Sequence, residues 1–309
     1  MLPPFETHSA QARAIADLFT QTLIVCGIIL LVVTFLVTYC VVRFREKDPK
    51  KEPVQTAGHT RLEITWTLIP VLIVAGLTLL TARTMASSDP PADREPDITV
   101  IGHQWWWEVR YRSGAVTANE IHMPVGRDVL VALESADVIH DFWVPQLGRK
   151  IDVTPGYPTH VWLEADAAGT YLGTCAEFCG AQHAWMRLLV VAQSPEEFAA
   201  WDQHEREPAP NPTDPEAAKG ARLFVDMTCA QCHAIRRPGV TITQPNSGPD
   251  LTHVAERTTL GAGVLDNDEK NLWRWLKDPQ GIKPGSHMPS VQLSDKKATD
   301  LVTYFETLR

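Results

Sequence analysis

Between Asp17 and Arg43 the chain carries 25 consecutive residues without a formal charge, LFTQTLIVCGIILLVVTFLVTYCVV, and this run limits the fold more than any other feature. At about 1.5 Å per residue it outspans the roughly 30 Å hydrocarbon core of a bilayer. Backbone groups in lipid must bond within the segment, so the run predicts a membrane-spanning helix over about 18–42. A signal peptide is the alternative, but the apolar stretch is too long for one and only Arg13 precedes it as a basic residue. Cys26 and Cys40 within it read as small apolar filler. A second uncharged run of 19 residues, Ile64 to Ala82, predicts a return helix over about 64–82, with Pro70 as a local kink. The intervening loop holds Arg43, Arg45, Lys47, Lys50, Lys51 and Arg61. The positive-inside rule puts that loop in the cytoplasm and both termini on the extracytoplasmic side of a bacterial-type inner (plasma) membrane.

A mean hydropathy of −0.12 conceals this hairpin by averaging it with polar domains. The formal charge of −9 is concentrated in residues 89–201, while 219–309 carries +2. No segment has the basic excess that phosphate binding needs, so a nucleic-acid role is excluded.

Twelve residues from Cys175 to Met186, CAEFCGAQHAWM, supply two thiols, an imidazole, a thioether and a carboxylate. Ordinary packing does not demand so many soft donors. Cys175, Cys179, His183 and an upstream histidine such as His140 satisfy a closed zinc site, and outside the cytoplasm the two cysteines satisfy a disulfide. Zinc has no use for a thioether, however, and the mixture of thiolate, imidazole and thioether suits copper. A single-copper site needs one thiolate; the second argues for two coppers sharing both sulfurs.

These residues, with the stretch LESADVIHDFWVPQLGRKIDVTPG before them, closely resemble subunit II of haem–copper cytochrome c oxidases. The resemblance covers nearly the whole chain. It implies a binuclear CuA centre in which Cys175 and Cys179 bridge, His140 and His183 each bind one copper, and Met186 and the Glu177 carbonyl are weak outer ligands. The Glu177 carboxylate would help hold a Mg2+ at the interface with subunit I. Glu63, at the cytoplasmic mouth of the second helix, matches a glutamate at the entrance of a proton channel in subunit I, which carries proton translocation into the expected function; a solvated interfacial glutamate is the plainer reading. Neither membrane run contains a histidine, so the oxygen chemistry must reside in a partner subunit.

Residues 89–201 alternate apolar and polar positions at Val129, Val131 and Leu133 and at Val161 and Leu163, with turn signals between. This predicts a cupredoxin-like antiparallel β-sandwich carrying the ligands on loops. In Trp105-Trp106-Trp107 successive side chains point to opposite faces of a strand, so at least one indole is expected near the surface. The resemblance makes Trp105 the residue at which electrons enter.

Residues 202–218 have the Pro-rich acidic composition of a linker. Beyond it, Cys229-Ala230-Gln231-Cys232-His233 is the attachment motif of a c-type haem, with His233 on the iron. A thioredoxin-like motif would need a βαβ pattern, which is missing. Met288 or its neighbour His287 is the second axial ligand, and the setting resembles class I cytochromes c, in which Met288 fills the place. That family also implies a helix pair through Gly220, Phe224 and Tyr304, and a Gly248-Pro249-Asp250-Leu251 stretch whose proline carbonyl orients His233. His253 and Arg257 are candidates for haem propionates or are simply solvated.

The expected organisation is therefore a transmembrane α-hairpin (1–88), a CuA domain (89–201), the linker and an all-α class I cytochrome c domain (219–309). Such a chain is the electron-entry subunit of an aa3/caa3-type oxidase. Electrons would pass from haem c to CuA and on to haem a of subunit I, where O2 is reduced to water. Its expected partners are subunit I, further membrane subunits, and an upstream cytochrome or quinol-oxidising complex as donor. Two alternatives differ in class. A nitrous oxide reductase-like system would put a His-rich propeller where the hairpin stands, and a non-enzymatic copper carrier would have no covalent haem.

Overall fold

The computed structural model describes residues 5–46, 55–89, 94–242 and 247–309; Lys47, Lys50 and Lys51 of the basic loop and the Pro90-Pro91 exit lie outside them. The chain divides into two units, Arg13–Pro90 and Met1–Ala12 with Pro91–Arg309.

The first unit is formed by two long helices, α1 (Ala10–Arg43) and α2 (Thr60–Ser88), each longer than its uncharged run. Both are long and apolar enough to cross a membrane. Leu31, Phe35, Ile64 and Leu72 lie on their exposed surfaces, as lipid-facing residues should. Glu63 accepts a hydrogen bond from the His59 backbone N–H at 3.0 Å, and His59 Nδ1 accepts one from the Leu62 N–H, so both side chains help cap the start of α2.

The second unit opens into a β-sandwich of ten strands: β1 (Ile98–His103), β2 (Trp106–Tyr111), β3 (Val116–Ala118), β4 (Glu120–Pro124), β5 (Val129–Ser135), β6 (His140–Trp143), β7 (Ile151–Val153), β8 (Thr159–Leu163), β9 (Gly169–Cys175) and β10 (Arg187–Gln193). One sheet runs β3-β2-β1-β5-β8 and the other β4-β10-β9-β6-β7. Pairing is mostly antiparallel, with β1 beside β5 and β4 beside β10 in parallel, as crossing between two sheets requires. Val131 and Leu133 face inward with Val161 and Leu163, meeting Phe142, Leu188 and Val190 across the sandwich. The alternation is the two-residue period of a half-buried strand.

Ser194 and Glu197 form a reciprocal capping box that starts α3 (Pro195–Arg206), whose Trp201 stacks on His122 at 4.1 Å. This helix covers the first five residues assigned to the linker. The exposed stretch beyond it is pinned at one point: the Ala209 N–H donates to Arg236 O at 3.0 Å, and Ala209 is fully buried.

The haem-motif region is helical with two small hairpins, β11 (Ile235–Arg237) with β12 (Val240–Ile242) and β13 (Thr259–Leu260) with β14 (Leu265–Asp266). Its helices are α4 (Pro215–Asp226), α5 (Glu269–Lys277), α6 (Pro279–Ile282) and α7 (Asp295–Phe305). α4 crosses α7 so closely that a Cβ on Gly220 would lie 2.0 Å from the Asp300 carbonyl oxygen, which only glycine permits. Phe224 meets Tyr304 edge-on at 6.3 Å beside that crossing.

All three tryptophans of the 105–107 run are buried, at 8%, 8% and 0% exposure, against the expectation that at least one would lie near the surface. The pleat argument holds for the sandwich alone. Trp107 points into its core, but Trp106 packs with Ala118 and Ala262, and Trp105 lies against the haem-motif region, which covers the outer face.

Candidate metal and haem centres

β6 delivers His140, the end of β9 delivers Cys175, and the following loop brings Cys179, His183 and Met186 back beneath them. The two sulfurs lie 3.7 Å apart. His140 Nδ1 is 3.9 Å from Cys175 Sγ, His183 Nδ1 is 3.7 Å from Cys179 Sγ, and Met186 Sδ is 3.8 Å from Cys179 Sγ. The Glu177 carbonyl oxygen approaches Cys175 Sγ to 3.2 Å. The six sequence candidates therefore form one connected cluster around the two buried thiols, with an imidazole beside each.

The electrostatics favour loading with metal. Hydrogen bonding from Cys179 draws the Cys175 thiol well below the usual thiol range, and the same pairing pushes Cys179 up. One proton leaves easily and the second is held until a cation replaces it. Burial depresses the proton affinity of His140, yet Asp137 and Cys175 outweigh it and the net shift is upward. Asp137 Oδ1 sits 2.9 Å from His140 Nε2, which fixes that nitrogen as the protonated one and turns Nδ1 toward the sulfurs. No motif marks Asp137; its place three residues before His140 was the only signal. A Cβ on Gly102 would lie 2.8 Å from the His140 ring, so that wall is also preset. The Glu177 carboxylate is exposed and accepts from the Phe178 N–H at 2.9 Å, and Phe178 beside it is 74% exposed.

In the helical region, a cavity opens between Cys229, Cys232 and His233 on one side and Met288 on the other, walled by Leu272, Leu276 and Phe305. His233 Nδ1 donates to the Pro249 carbonyl oxygen at 2.9 Å, and burial lowers the proton affinity of the ring. The imidazole is thus neutral with Nε2 free, the state an iron ligand needs. A Cβ on Gly248 would lie 2.8 Å from His233 Cε1, so glycine is required there. An apolar cavity closed by two thiols, a fixed imidazole and a thioether fits a covalent haem. His253 does not join it: the ring is buried and its Nε2 bonds to the Glu207 carbonyl oxygen at 2.9 Å, so it is neither solvated nor a wall of the cavity. Arg257 lines the cavity and bonds to the Asp250 carbonyl.

Trp105 joins the two centres. Its Nε1 donates to the Cys179 carbonyl oxygen at 3.0 Å, and its ring lies 5.3 Å from that of His287, next to Met288. Two charged residues fasten this contact, and neither stood out in sequence. Lys283, 3% exposed, donates to the carbonyl oxygens of Trp105 (2.9 Å), Trp185 (2.9 Å) and Gly261 (2.7 Å). Burial draws its pKa down to about 7, and three carbonyl dipoles stand in for a counter-charge. Buried Glu120 accepts from the Thr258 N–H and hydroxyl, both at 2.7 Å.

A thiol-rich metal site and a c-type haem cavity, carried on a chain with two membrane helices, define a membrane-anchored electron-transfer protein. Comparison with known families agrees. Residues 5–82 match the transmembrane domain of cytochrome c oxidase subunit II, residues 111–193 its periplasmic domain, and residues 217–309 cytochrome c. Cytochrome c oxidase subunit 2 of Alkalihalophilus pseudofirmus is 35% identical over 320 residues, spanning 100% of this chain and 91% of the relative. The protein of the same name from Bacillus sp. (strain PS3) is 33% identical, spanning 86% and 80%. A quinol oxidase subunit 2 from Bacillus cereus is 33% identical over 79% of this chain and 81% of its own. The chain belongs to the cytochrome c oxidase subunit II family, with a cytochrome c domain fused after the copper domain. It is an electron-entry subunit of a haem–copper terminal oxidase, an oxidoreductase complex, and handles copper and haem c.

Proposed function

We propose that the copper site is binuclear CuA, with Cys175 and Cys179 bridging, His140 and His183 as one imidazole each, and Met186 and the Glu177 carbonyl as outer ligands. Cys229 and Cys232 anchor the haem, and His233 and Met288 are its axial ligands. Bound copper and haem supply reversible one-electron redox states. The chain's own residues set the route between them, and Trp105 is the entry residue of the copper domain.

The observation that carries this reading is the position of Trp105, bonded to the carbonyl of Cys179 and in ring contact with His287. It also favours Met288 over His287 as the axial ligand, because the His287 ring is engaged by Trp105. The quinol oxidase relative leaves the donor open by name. The haem cavity next to Trp105 supports a cytochrome route, with an upstream cytochrome or quinol-oxidising complex delivering to the haem.

The exposed Glu177 carboxylate is a ligand for Mg2+ shared with subunit I, and Glu63 serves the proton path of that partner. The hairpin spans a bacterial-type inner membrane with the basic loop in the cytoplasm. In support, the His8 N–H bonds to the Gln146 carbonyl oxygen of the copper domain, as expected where the residues before α1 share its side of the membrane. The domains run 1–88, 89–201 and 219–309, joined through 202–218.

Metal analysis and EPR of the purified oxidase test the site. Two coppers and one haem c per chain, with one unpaired electron shared by both coppers, are expected. Zinc in place of the two coppers, or a mononuclear copper signal, contradicts it.

A further inference from the structure

Outside both redox centres, His204 near the end of α3 meets His253 and Glu256 of the haem domain, and their donor atoms lie within 4.8 Å of one another. We propose that these three residues form a further metal site, one that takes Zn2+ and clips α3 to the haem domain.

Three observations carry this. First, His253 is 2% exposed; its Nε2 is committed to the Glu207 carbonyl oxygen at 2.9 Å, while Nδ1 is buried with no hydrogen-bond partner among the described residues. Donating the second ring N–H to a backbone carbonyl is how a metal-bound histidine is normally held and its tautomer chosen. Burial also lowers the proton affinity of the ring, so Nδ1 offers a lone pair. Second, His204 Nε2 is buried as an atom and equally unpartnered, although Glu256 Oε2 is only 3.1 Å away. At that distance a hydrogen bond fails only if the groups are out of line. The carboxylate and the His204 nitrogen thus stand side by side without a hydrogen bond between them, which leaves both free for a cation. Third, the spacing suits the ion. Metal–ligand bonds of about 2.0–2.1 Å in a tetrahedron place donors about 3.3 Å apart. The His204–Glu256 pair already has that separation, and the two rings stand 4.8 Å apart at 55°.

Two imidazoles and one carboxylate suit zinc, with a water in the fourth place. The side chains of His204 and Glu256 are 42% and 37% exposed, which leaves an entry path. Arg236 is the nearby cation, and its guanidinium is occupied by the carbonyl oxygens of Glu205 and Arg206. An ion here ties α3, which packs on the copper domain, to the 3-10 turn Val254–Glu256 of the haem domain, and so reinforces the joint across which the electron passes.

The test uses the full protein with copper and haem loaded, titrated with Zn2+ alone while copper content and both optical spectra are followed. His204→Gln and Glu256→Gln are chosen because both side chains are partly exposed and neither touches a redox centre; buried His253 is left intact to protect the fold. Expected are one tightly held zinc per chain beyond the copper complement, a melting temperature that rises with zinc, and at least a tenfold weaker zinc affinity in each variant, with copper content and spectra unchanged. Zinc that binds both variants as well as the unaltered protein, binds only by displacing copper, or fails to bind at all overturns the proposal.

Discussion

Asp137 and Glu108 are single carboxylates that each bond to a neighbouring imidazole. Asp137 holds His140 from the side away from the sulfurs, so Asp137→Asn removes the charge that fixes the imidazole and should weaken copper binding about 10–100-fold. Copper titration of the metal-free protein reads this directly, and unchanged affinity would mean that the packing against Gly102 orients the ring by itself. Glu108 is buried between His103 and Arg110, and His103 stacks on Trp106 at 4.3 Å, behind the face that meets the haem domain. Burial raises the pKa of Glu108, but the hydrogen bonds from His103 and Arg110 outweigh it and the net shift is downward. A carboxyl lowered in the folded state stabilises fully above its unfolded value of 4.5 and loses that contribution as pH falls through the folded value. Glu108→Gln should therefore lower stability by about 1–3 kcal/mol at pH 7 and flatten the acid limb of the melting curve. A variant whose acid limb matches the unaltered chain would show that Glu108 does not drive it. The candidate copper ligands were legible because five of the six fall within twelve residues, and metal chemistry limits which side chains can serve. Asp137, Glu120 and Lys283 were not, since an aspartate before a strand or a lysine in a Pro-Gly loop reads as solvated until its distant partner is known.

Among the elements, the strands and membrane helices were readable because burial imposes a period of two on the former and lipid imposes an unbroken apolar run on the latter. The stretch after residue 201 read as a free linker from its prolines and acids, yet α3 extends to Arg206 and Ala209 is pinned to Arg236. Composition reports the loss of apolar surface but not the backbone partners that hold a polar segment down. The α4–α7 crossing rests on Gly220, where any side chain meets the Asp300 backbone. Gly220→Val should cost about 1–3 kcal/mol or more by overpacking and lower the melting temperature of the haem domain by several degrees. Far-UV CD melts with the haem band as a second probe measure it; an unshifted melt would mean that the helices separate freely at that point.

At the scale of the whole chain, the burial of Trp105 and Trp106 was beyond sequence reasoning because it depends on a second domain covering the outer face of the first. A tether alone supplies a high local concentration and leaves the pose to diffusion. Lys283 and Glu120 instead fix one pose, with Trp105 between the haem cavity and the Cys175–Cys179 thiol pair. Interactions so deeply buried are poorly screened, so salt should have little effect on transfer across this joint. Flash reduction of the haem in the intact oxidase, followed by the rise of reduced copper, should give one rate that is constant from low to high ionic strength. It should be slower in Lys283→Met and in Trp105→Phe while both metal spectra stay unchanged. A rate that falls steeply with salt in the unaltered protein, or that is the same in both variants, would contradict a fixed haem-to-copper route through Trp105.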